Sequence, residues 1–335
     1  MNVPVLLTSD TNIFYIAGFT SSNAAVILEG NQVTIVTDFR YEQAARKTGF
    51  LVILLEQGKQ LTDAVLDYLI GKGYRQVYFE ARDMRAEMYL RISSQLELLP
   101  VDGEFSKVRS IKEQREIDLM QQAADIATDA LQEVQSILAP GVSEREIAAE
   151  LDFRMRKKGA EEPSFDTIVA FGANASMPHY VPGDVALQRG ECVLIDMGAR
   201  YRGYCSDMTR TWFCGESEMT QIYEIVLQAQ KLALEALKAG VPCKEMDAVA
   251  RNFISQQGYG PQFGHGLGHG VGVDIHEYPT LNPKSDQVLE KNMVVTVEPG
   301  IYLPGKGGVR IEDMCLVTQK GHRNFTSASK ELIIF

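Results

Sequence analysis

Apolar residues along this chain recur with two different periods, and the switches between them mark out the elements. AAVILE (24–29) and QVTIVTD (32–38) are β-rich runs flanking a Gly-Asn pair, the pattern of a tight hairpin. RYEQAARKTG reads as helical with a glycine stop and LVILL as extended. LTDAVLDYLIGKG is helical, QVYFE extended, and RDMRAEMYLRISSQLE helical. Together these predict a small α/β domain ending near Phe105. A long amphipathic helix follows over roughly 110–138, with Met120, Ala123, Ala124, Ala127, Ala130, Leu131, Val134, Ile137 and Leu138 on one 3.6-period face. Pro140-Gly141 ends it.

The pattern then repeats. GVSEREIAAELDFRMRKKG (141–159) lies on GVPCKEMDAVARNFISQQG (240–258) without a gap, an offset of 99 residues. The two share Gly, Val, a basic residue, Glu, an apolar residue, Ala and a terminal Gly. Each is preceded by a long helix (roughly 110–138 and 217–239) and followed by strand-rich sequence. This predicts an internal duplication, helix-helix-strands twice over, in which neither half covers its own sheet. Ser143 and Glu146 form a capping box at the start of the first copy's second helix.

Composition narrows the function classes. A chain of 335 residues with 45% apolar content can bury a sizeable core in one large or two smaller domains. The net charge of −11, without any Lys/Arg-rich block, argues against a nucleic-acid partner. The N-terminal MNVPVLLTSDTN carries neither a basic segment nor a long apolar one, and no apolar run of membrane-spanning length follows, so a soluble, unexported, cytoplasmic protein is expected. Cys192, Cys205, Cys214, Cys243 and Cys315 are odd in number and contain no C-x-x-C pair, which fits buried, reduced thiols.

Chemistry concentrates in the strand-rich halves. CVLIDMGARYRGYCSDMTRTW (192–212) reads as a hairpin; a turn centred between Tyr201 and Arg202 sets Asp196 opposite Asp207 on one face. VVTVEPGIYLPGKGGVRIEDMCLV (294–317), centred on Gly305, sets Glu298 opposite Glu312. Carboxylates held so close repel unless they share a proton or hold a cation. Four of them plus an imidazole make a pocket for two divalent metals, with Mn²⁺, Co²⁺ or Fe²⁺ suited to such oxygen-rich ligation and Zn²⁺ less so. Two ions about 3.5–4 Å apart would activate a water as nucleophile, which is hydrolase chemistry. The stretch HGLGHGVGVDIHE (265–277) supplies imidazoles on a backbone whose glycines permit close approach, and His179 in SMPHYVPGD supplies another. Any one of these residues alone would be an ordinary polar side chain; the joint arrangement carries the argument. GLGHGVG does not match G-x-G-x-x-G, PGKGG is no P-loop, and H-E-x-x-H does not occur.

With these residues assembled, the chain resembles the pita-bread metallopeptidases, the group of Xaa-Pro aminopeptidase, Xaa-Pro dipeptidase (prolidase), methionine aminopeptidase and creatinase. The likeness runs through TNIFYIAGF, TDFRYEQA, VRSIKEQREI, PHYVPGD, DMGARYRGYCSDMTRTW, HGLGHGVGVDIHE, VEPGIYLPGKGGVRIED and KELI. It implies an α+β protein: a creatinase-like α/β domain over 1–107, then a pseudo-twofold pita-bread catalytic domain over 108–335. It also implies that Asp196, Asp207, His269, Glu298 and Glu312 are metal ligands, with Asp207 and Glu312 bridging two ions, most readily Mn²⁺ or Co²⁺, with Zn²⁺ or Fe²⁺ as alternatives. His179 and His276 would be catalytic, Glu298 would also shuttle protons, and His265 and Arg310 would bind substrate. The expected reaction is hydrolysis of the bond between an N-terminal residue and proline in a short peptide, by a homodimer without membrane or nucleic-acid partners. Creatinase lacks the metal ligands, as do relatives that serve as interaction scaffolds; here all five are present, which leaves that alternative little support. Some dipeptidases of the group carry an arginine just after H-E-x-P, whereas this chain reads HEYPTL with Thr280 there. Aminopeptidase and dipeptidase both remain open at this point.

Overall fold

The computed structural model describes residues 3–101 and 103–335, so Met1 and Asn2 of the N-terminal stretch lie outside the described residues. The chain divides into two compact units, one ending at Val108 and one spanning Arg109–Phe335.

The first unit is a three-layer α/β structure. Strands β1 (Val5–Leu7), β2 (Ala24–Glu29), β3 (Gln32–Thr37), β4 (Leu51–Leu54), β5 (Gln76–Phe79) and β6 (Glu97–Pro100) form one sheet in the order β4-β3-β2-β1-β5-β6. Helices α1 (Asp10–Ala17), α2 (Glu42–Lys47), α3 (Leu61–Gly71) and α4 (Ala86–Ser93) accompany them. Strand alternation fills both faces. Leu6, Ala25, Ile27 and Val36 pack with Val65 and Leu69 of α3 and Ile92 of α4, while Leu7, Val26 and Ile35 pack with Ile13 of α1 and Ala45 of α2. The predicted hairpin pairs Glu29 with Gln32 across Gly30-Asn31, and Gly30 takes the left-handed φ of 62° that opens such a turn. Strands β1 and β6 and helix α1 are additional to the predicted elements.

The second unit carries the duplication. After α5 (Glu104–Ser110), helix α6 (Gln114–Gln135) and α7 (Glu144–Lys157) precede β7 (Glu162–Pro163), β8 (Ile168–Phe171), β9 (Cys192–Met197), β10 (Ala199–Tyr201), β11 (Tyr204–Cys205) and β12 (Met208–Phe213). Helix α8 (Thr220–Ala236) and α9 (Cys243–Gln256) precede β13 (Gly268–Gly270), β14 (Glu277–Leu281), β15 (Val294–Val297), β16 (Gly300–Leu303), β17 (Gly307–Arg310), β18 (Asp313–Val317) and β19 (His322–Asn324). The predicted long helix starts later than expected, at Gln114, where a Glu113–Glu116 capping box closes its N-terminus. The Ser143–Glu146 box caps α7 as predicted. Of the residues on the α6 stripe, Ile137 lies beyond the helix and is 39% exposed, whereas the others are buried.

Both helix pairs cover a sheet. Val193, Ile195 and Met197 of β9 join Leu131, Val134, Leu151 and Met155 in one core. Val295 and Val297 of β15 join Val226, Ala233, Ala250 and Ile254 in the other. Asp196 has the opposite parity to the first set, and Thr296 and Glu298 to the second. The acidic residues therefore sit on the sheet faces turned away from the covering helices.

The two predicted registers fare differently. In the second half, Gly300 pairs with Arg310 and Val297 with Asp313, so the centre at Gly305 holds through both strand pairs and Glu298 stands in register with Glu312. In the first half the expected direct opposition of Asp196 and Asp207 is wrong. Asp196 pairs with Thr209, and Tyr201 pairs with Tyr204. The tight turn is Arg202-Gly203, with both residues at positive φ (47° and 80°), one residue beyond the expected centre. Such left-handed pairs match the twist of the flanking strands. Asp207 falls in the short break between β11 and β12.

Candidate metal centre

Asp196, Asp207, His269, Glu298 and Glu312 all line one cavity of about 510 Å³, together with His179, His265, His276 and Arg310. The tightest grouping is Asp207, His269 and Glu312, whose potential ligand atoms lie within 4.8 Å of one another. His269 reaches them because β13 is squeezed between β14 and β15. A Cβ at Gly268 would overlap the Thr296 carbonyl oxygen, and one at Gly270 the Tyr278 carbonyl oxygen, so glycine is required on either side of the histidine.

Hydrogen bonds from the strands hold Glu312, Asp196 and Glu298. Thr209 Oγ1 donates to Glu312 Oε2 at 2.6 Å, and the Glu312 amide donates back to the Thr209 carbonyl at 3.1 Å. One step along, Thr211 Oγ1 donates to the Arg310 carbonyl at 3.0 Å. Strand β12 of the first half is thereby stitched to the 310–312 segment of the second. Arg310 fans out from the same seam, donating to Asp196 Oδ2 at 2.5 Å, to Tyr302 Oη at 2.8 Å and to Thr209 Oγ1 at 3.1 Å. Thr296 Oγ1 donates to Glu298 Oε1 at 3.3 Å and accepts from the His269 amide at 3.0 Å.

The histidine tautomers follow from these partners. His269 Nδ1 lies 3.1 Å from the Gly270 carbonyl, which can only accept, so Nδ1 carries the hydrogen and Nε2 is a bare lone pair. That lone pair faces Asp207 Oδ2 and Glu298 Oε1, each at 3.5 Å. Burial, reinforced by His276, lowers the His269 pKa to about 4, so the ring is neutral. His265 is held alike: Nδ1 donates to the Gly266 carbonyl at 2.8 Å, and Nε2 accepts from the Tyr302 hydroxyl at 2.9 Å. Burial and the nearby Arg310 lower its pKa to about 4. The ring of His276 stands edge-on to His269 at 4.3 Å between centroids.

Electrostatically the cluster is incomplete as protein alone. Burial drives Asp207 and Glu312 well above the usual carboxylate range, with Asp196 and Glu298 adding to the push on both and Asp207 to that on Glu312. Glu298 rises to about 8, again chiefly through burial. Asp196 Oδ1 is buried with no hydrogen-bond partner among the described residues, although its Oδ2 is held by Arg310. Lone pairs facing lone pairs, carboxyls that resist ionising and an orphaned buried oxygen are the signature of a donor set built for cations. Oxygen donors with one neutral imidazole fit hard or borderline divalent ions.

Every site residue expected from the sequence lies at this cavity. Several that matter were not expected: Thr209, Thr296 and Tyr302 touch the carboxylates, Arg310 or His265 directly. Within the strands Thr209 and Thr296 resemble ordinary β-branched positions, and only the three-dimensional seam singles them out.

Comparison with known proteins agrees with this arrangement. Residues 118–319 match the model of metallopeptidase family M24, and residues 5–111 match the creatinase/prolidase N-terminal domain. An Xaa-Pro dipeptidase of Pyrococcus horikoshii is 38% identical over 98% of this chain and 94% of its own. Among solved structures, an Xaa-Pro dipeptidase from Bacillus anthracis superposes with a TM-score of 0.95 at 41% identity, covering 99% of this chain and 95% of the other. An X-Pro aminopeptidase from Thermotoga maritima does so with a TM-score of 0.93 at 36% identity, covering 99% and 97%. Among the described residues no helix is long and apolar enough to cross a membrane. With its fold, its donor set and these likenesses in agreement, the chain belongs to metallopeptidase family M24, as an enzyme of the pita-bread type that carries a creatinase/prolidase N-terminal domain.

Proposed function

We propose that this enzyme hydrolyses the bond between an N-terminal residue and proline in short peptides, using two divalent ions held by Asp196, Asp207, His269, Glu298 and Glu312. The single observation that carries the reading is the bare His269 Nε2 facing Asp207 and Glu298 beside Glu312, an arrangement that repels itself without a cation. Residues 108–335 form the catalytic domain in this reading and residues 1–107 the creatinase-like one. When bound, the ions supply Lewis acidity, lowering the pKa of water and polarising the scissile carbonyl. Mn²⁺ or Co²⁺ suits the donors best.

The chain's own groups do the rest. Asp207 and Glu312 stand central to the cluster and are suited to bridging. Glu298 accepts a proton from the attacking water and delivers it to the departing proline nitrogen. His179 and His276, both lining the cavity, hydrogen-bond the developing oxyanion. Arg310 keeps Asp196 oriented, and through Tyr302 it fixes the His265 ring at the substrate's edge. Phe165, Ile168, Pro178 and Ile275 offer apolar wall to a proline ring.

Peptide length separates two readings. The P. horikoshii and B. anthracis relatives are named dipeptidases and the T. maritima one an aminopeptidase. Arg310 is the sole Lys or Arg lining this cavity among the described residues, and it is committed to Asp196, Tyr302 and Thr209. A dipeptide's terminal carboxylate would thus find no free Lys or Arg among the lining residues, which favours longer peptides. The test is hydrolysis of Ala-Pro-Ala against Ala-Pro by Mn²⁺-loaded protein, by chelated protein, and after Mn²⁺ or Co²⁺ is restored. Loss and recovery with metal, with the tripeptide preferred, is expected. Undiminished cleavage by metal-free protein refutes the reaction, and a preference for Ala-Pro refutes the length assignment.

A further inference from the structure

Glu144, the first residue of α7, is completely buried, yet it is no part of the metal cluster. Its carboxylate accepts four hydrogen bonds. Oε1 takes the Phe171 amide and the Asn174 Nδ2, each at 2.9 Å. Oε2 takes the Tyr180 hydroxyl at 2.8 Å and the Gly183 amide at 3.1 Å. Asn174 Nδ2 also reaches the Tyr180 hydroxyl at 2.9 Å, closing the network on itself. All four donors belong to one stretch, 171–183, whose middle residues Pro178, His179, Tyr180 and Val181 form a wall of the catalytic cavity.

Its first residues are anchored in the core, Phe171 and Ala175 being buried, but beyond Ser176 the stretch has little else to hold it. Met177 and Val181 are 47% and 79% exposed, so apolar burial contributes weakly there. Its outgoing limb is laced to the start of α7 by backbone bonds from Arg145 to the Gly183 carbonyl and from Glu144 to the Val185 carbonyl. The N-terminal turn of a helix, with its positive dipole end, is a favourable place for an acidic side chain.

We propose that Glu144 is a positioning residue for His179: its buried carboxylate clamps both ends of the 171–183 stretch and so sets the imidazole against the reacting carbonyl. The inference rests on the assignment of His179 to the oxyanion made above. Gln at position 144 keeps the shape but replaces one acceptor oxygen by a donor, which must oppose at least one backbone amide, that of Phe171 or Gly183, since the Tyr180 hydroxyl can turn to accept.

Two measurements on the full-length, Mn²⁺-loaded enzyme decide it. In a double-mutant cycle on Ala-Pro-Ala, Glu144→Gln is expected to lower kcat by about 10–100-fold with KM nearly unchanged, as expected for loss of an orienting partner. In a His179→Ala background the same substitution should change kcat by less than about twofold, because its effect passes through the missing ring. Hydrogen–deuterium exchange of the 171–183 stretch should quicken by at least about tenfold in Glu144→Gln, with α6 and α9 unchanged. Where Glu144→Gln does not accumulate folded, Asn174→Ala removes one clamp donor, and the same cycle applies with a smaller factor. An equal loss in both backgrounds overturns the proposal, since that is general destabilisation. Unchanged exchange overturns it through the clamp itself, whereas full kcat in His179→Ala overturns it through the reading it rests on, so the two failures are told apart.

Discussion

Removing the metals should make this enzyme unusually intolerant of rising pH. In the metal-free protein the folded state keeps protons on carboxyls that the unfolded chain would have lost: burial lifts Glu298 to about 8, and Asp207 and Glu312 well above the usual range. A group whose folded pKa exceeds its unfolded value contributes stability that is full below the unfolded pKa and lost as pH climbs through the folded one. Each retained proton therefore lowers unfolding free energy by about 1.4 kcal/mol per pH unit across that window. The histidines work against this at the lower edge of the interval: His265 and His269, lowered to about 4, are neutral when folded but about half protonated at about pH 6.5 in the unfolded chain, and each offsets up to about 0.4 kcal/mol by pH 8, less than one carboxyl contributes. From pH 6.5 to 8, one proton amounts to about 2 kcal/mol, or roughly 4–8 °C in Tm for a unit of this size. Scanning calorimetry with and without excess chelator reads this directly. The chelated protein should melt progressively lower as pH rises, whereas the Mn²⁺-loaded protein, its carboxylates ionised in both states, should hold nearly level. A chelated protein that melts no lower at pH 8 than at 6.5 would sink the account of the cluster as a set of carboxyls awaiting cations.

Other outcomes follow from the same contacts. Asp207→Asn should abolish tight Mn²⁺ retention and peptide hydrolysis together, yet at pH 8 the metal-free variant should melt above metal-free wild type because one repelling carboxylate is gone; metal analysis and calorimetry check both. Thr209→Val removes the hydroxyl between Glu312 and Arg310 and should weaken metal affinity or kcat/KM by about 10–100-fold with the fold intact, as measured by metal titration and kinetics. Glu277, buried against Arg109 at 3.0 Å and Lys112 at 3.1 Å, carries no proposed chemistry; Glu277→Ala should destabilise by about 3–5 kcal/mol in denaturant unfolding, by stranding buried cations.

What could be read from the amino-acid order depended on how local the determining physics was. The duplicated helices were legible because amphipathic spacing and capping are short-range, and α7 and α9 occupy equivalent places in the two copies. The register around Gly305 was legible because one centre of symmetry governs both strand pairs. The first hairpin misled because an arginine at φ 47° occupies a place where Asn or Gly would have announced the turn. The acidic residues and histidines were found through their chemistry. Their supporters Thr209, Tyr302 and Glu144 were not, since nothing in a run such as MTRTW or GIYLP distinguishes a residue that orients a side chain from another element from one that simply fills a strand.

The seam between β12 and the 310–312 segment has a consequence for time scales. Asp196 and Asp207 come from one copy of the repeat and His269, Glu298 and Glu312 from the other, so the proposed donor set is complete only when both copies have docked. Under the proposed ligand set, ion release would follow parting of the copies, so the rate of ion loss would report how often the Thr209–Glu312 and Thr211–Arg310 links open.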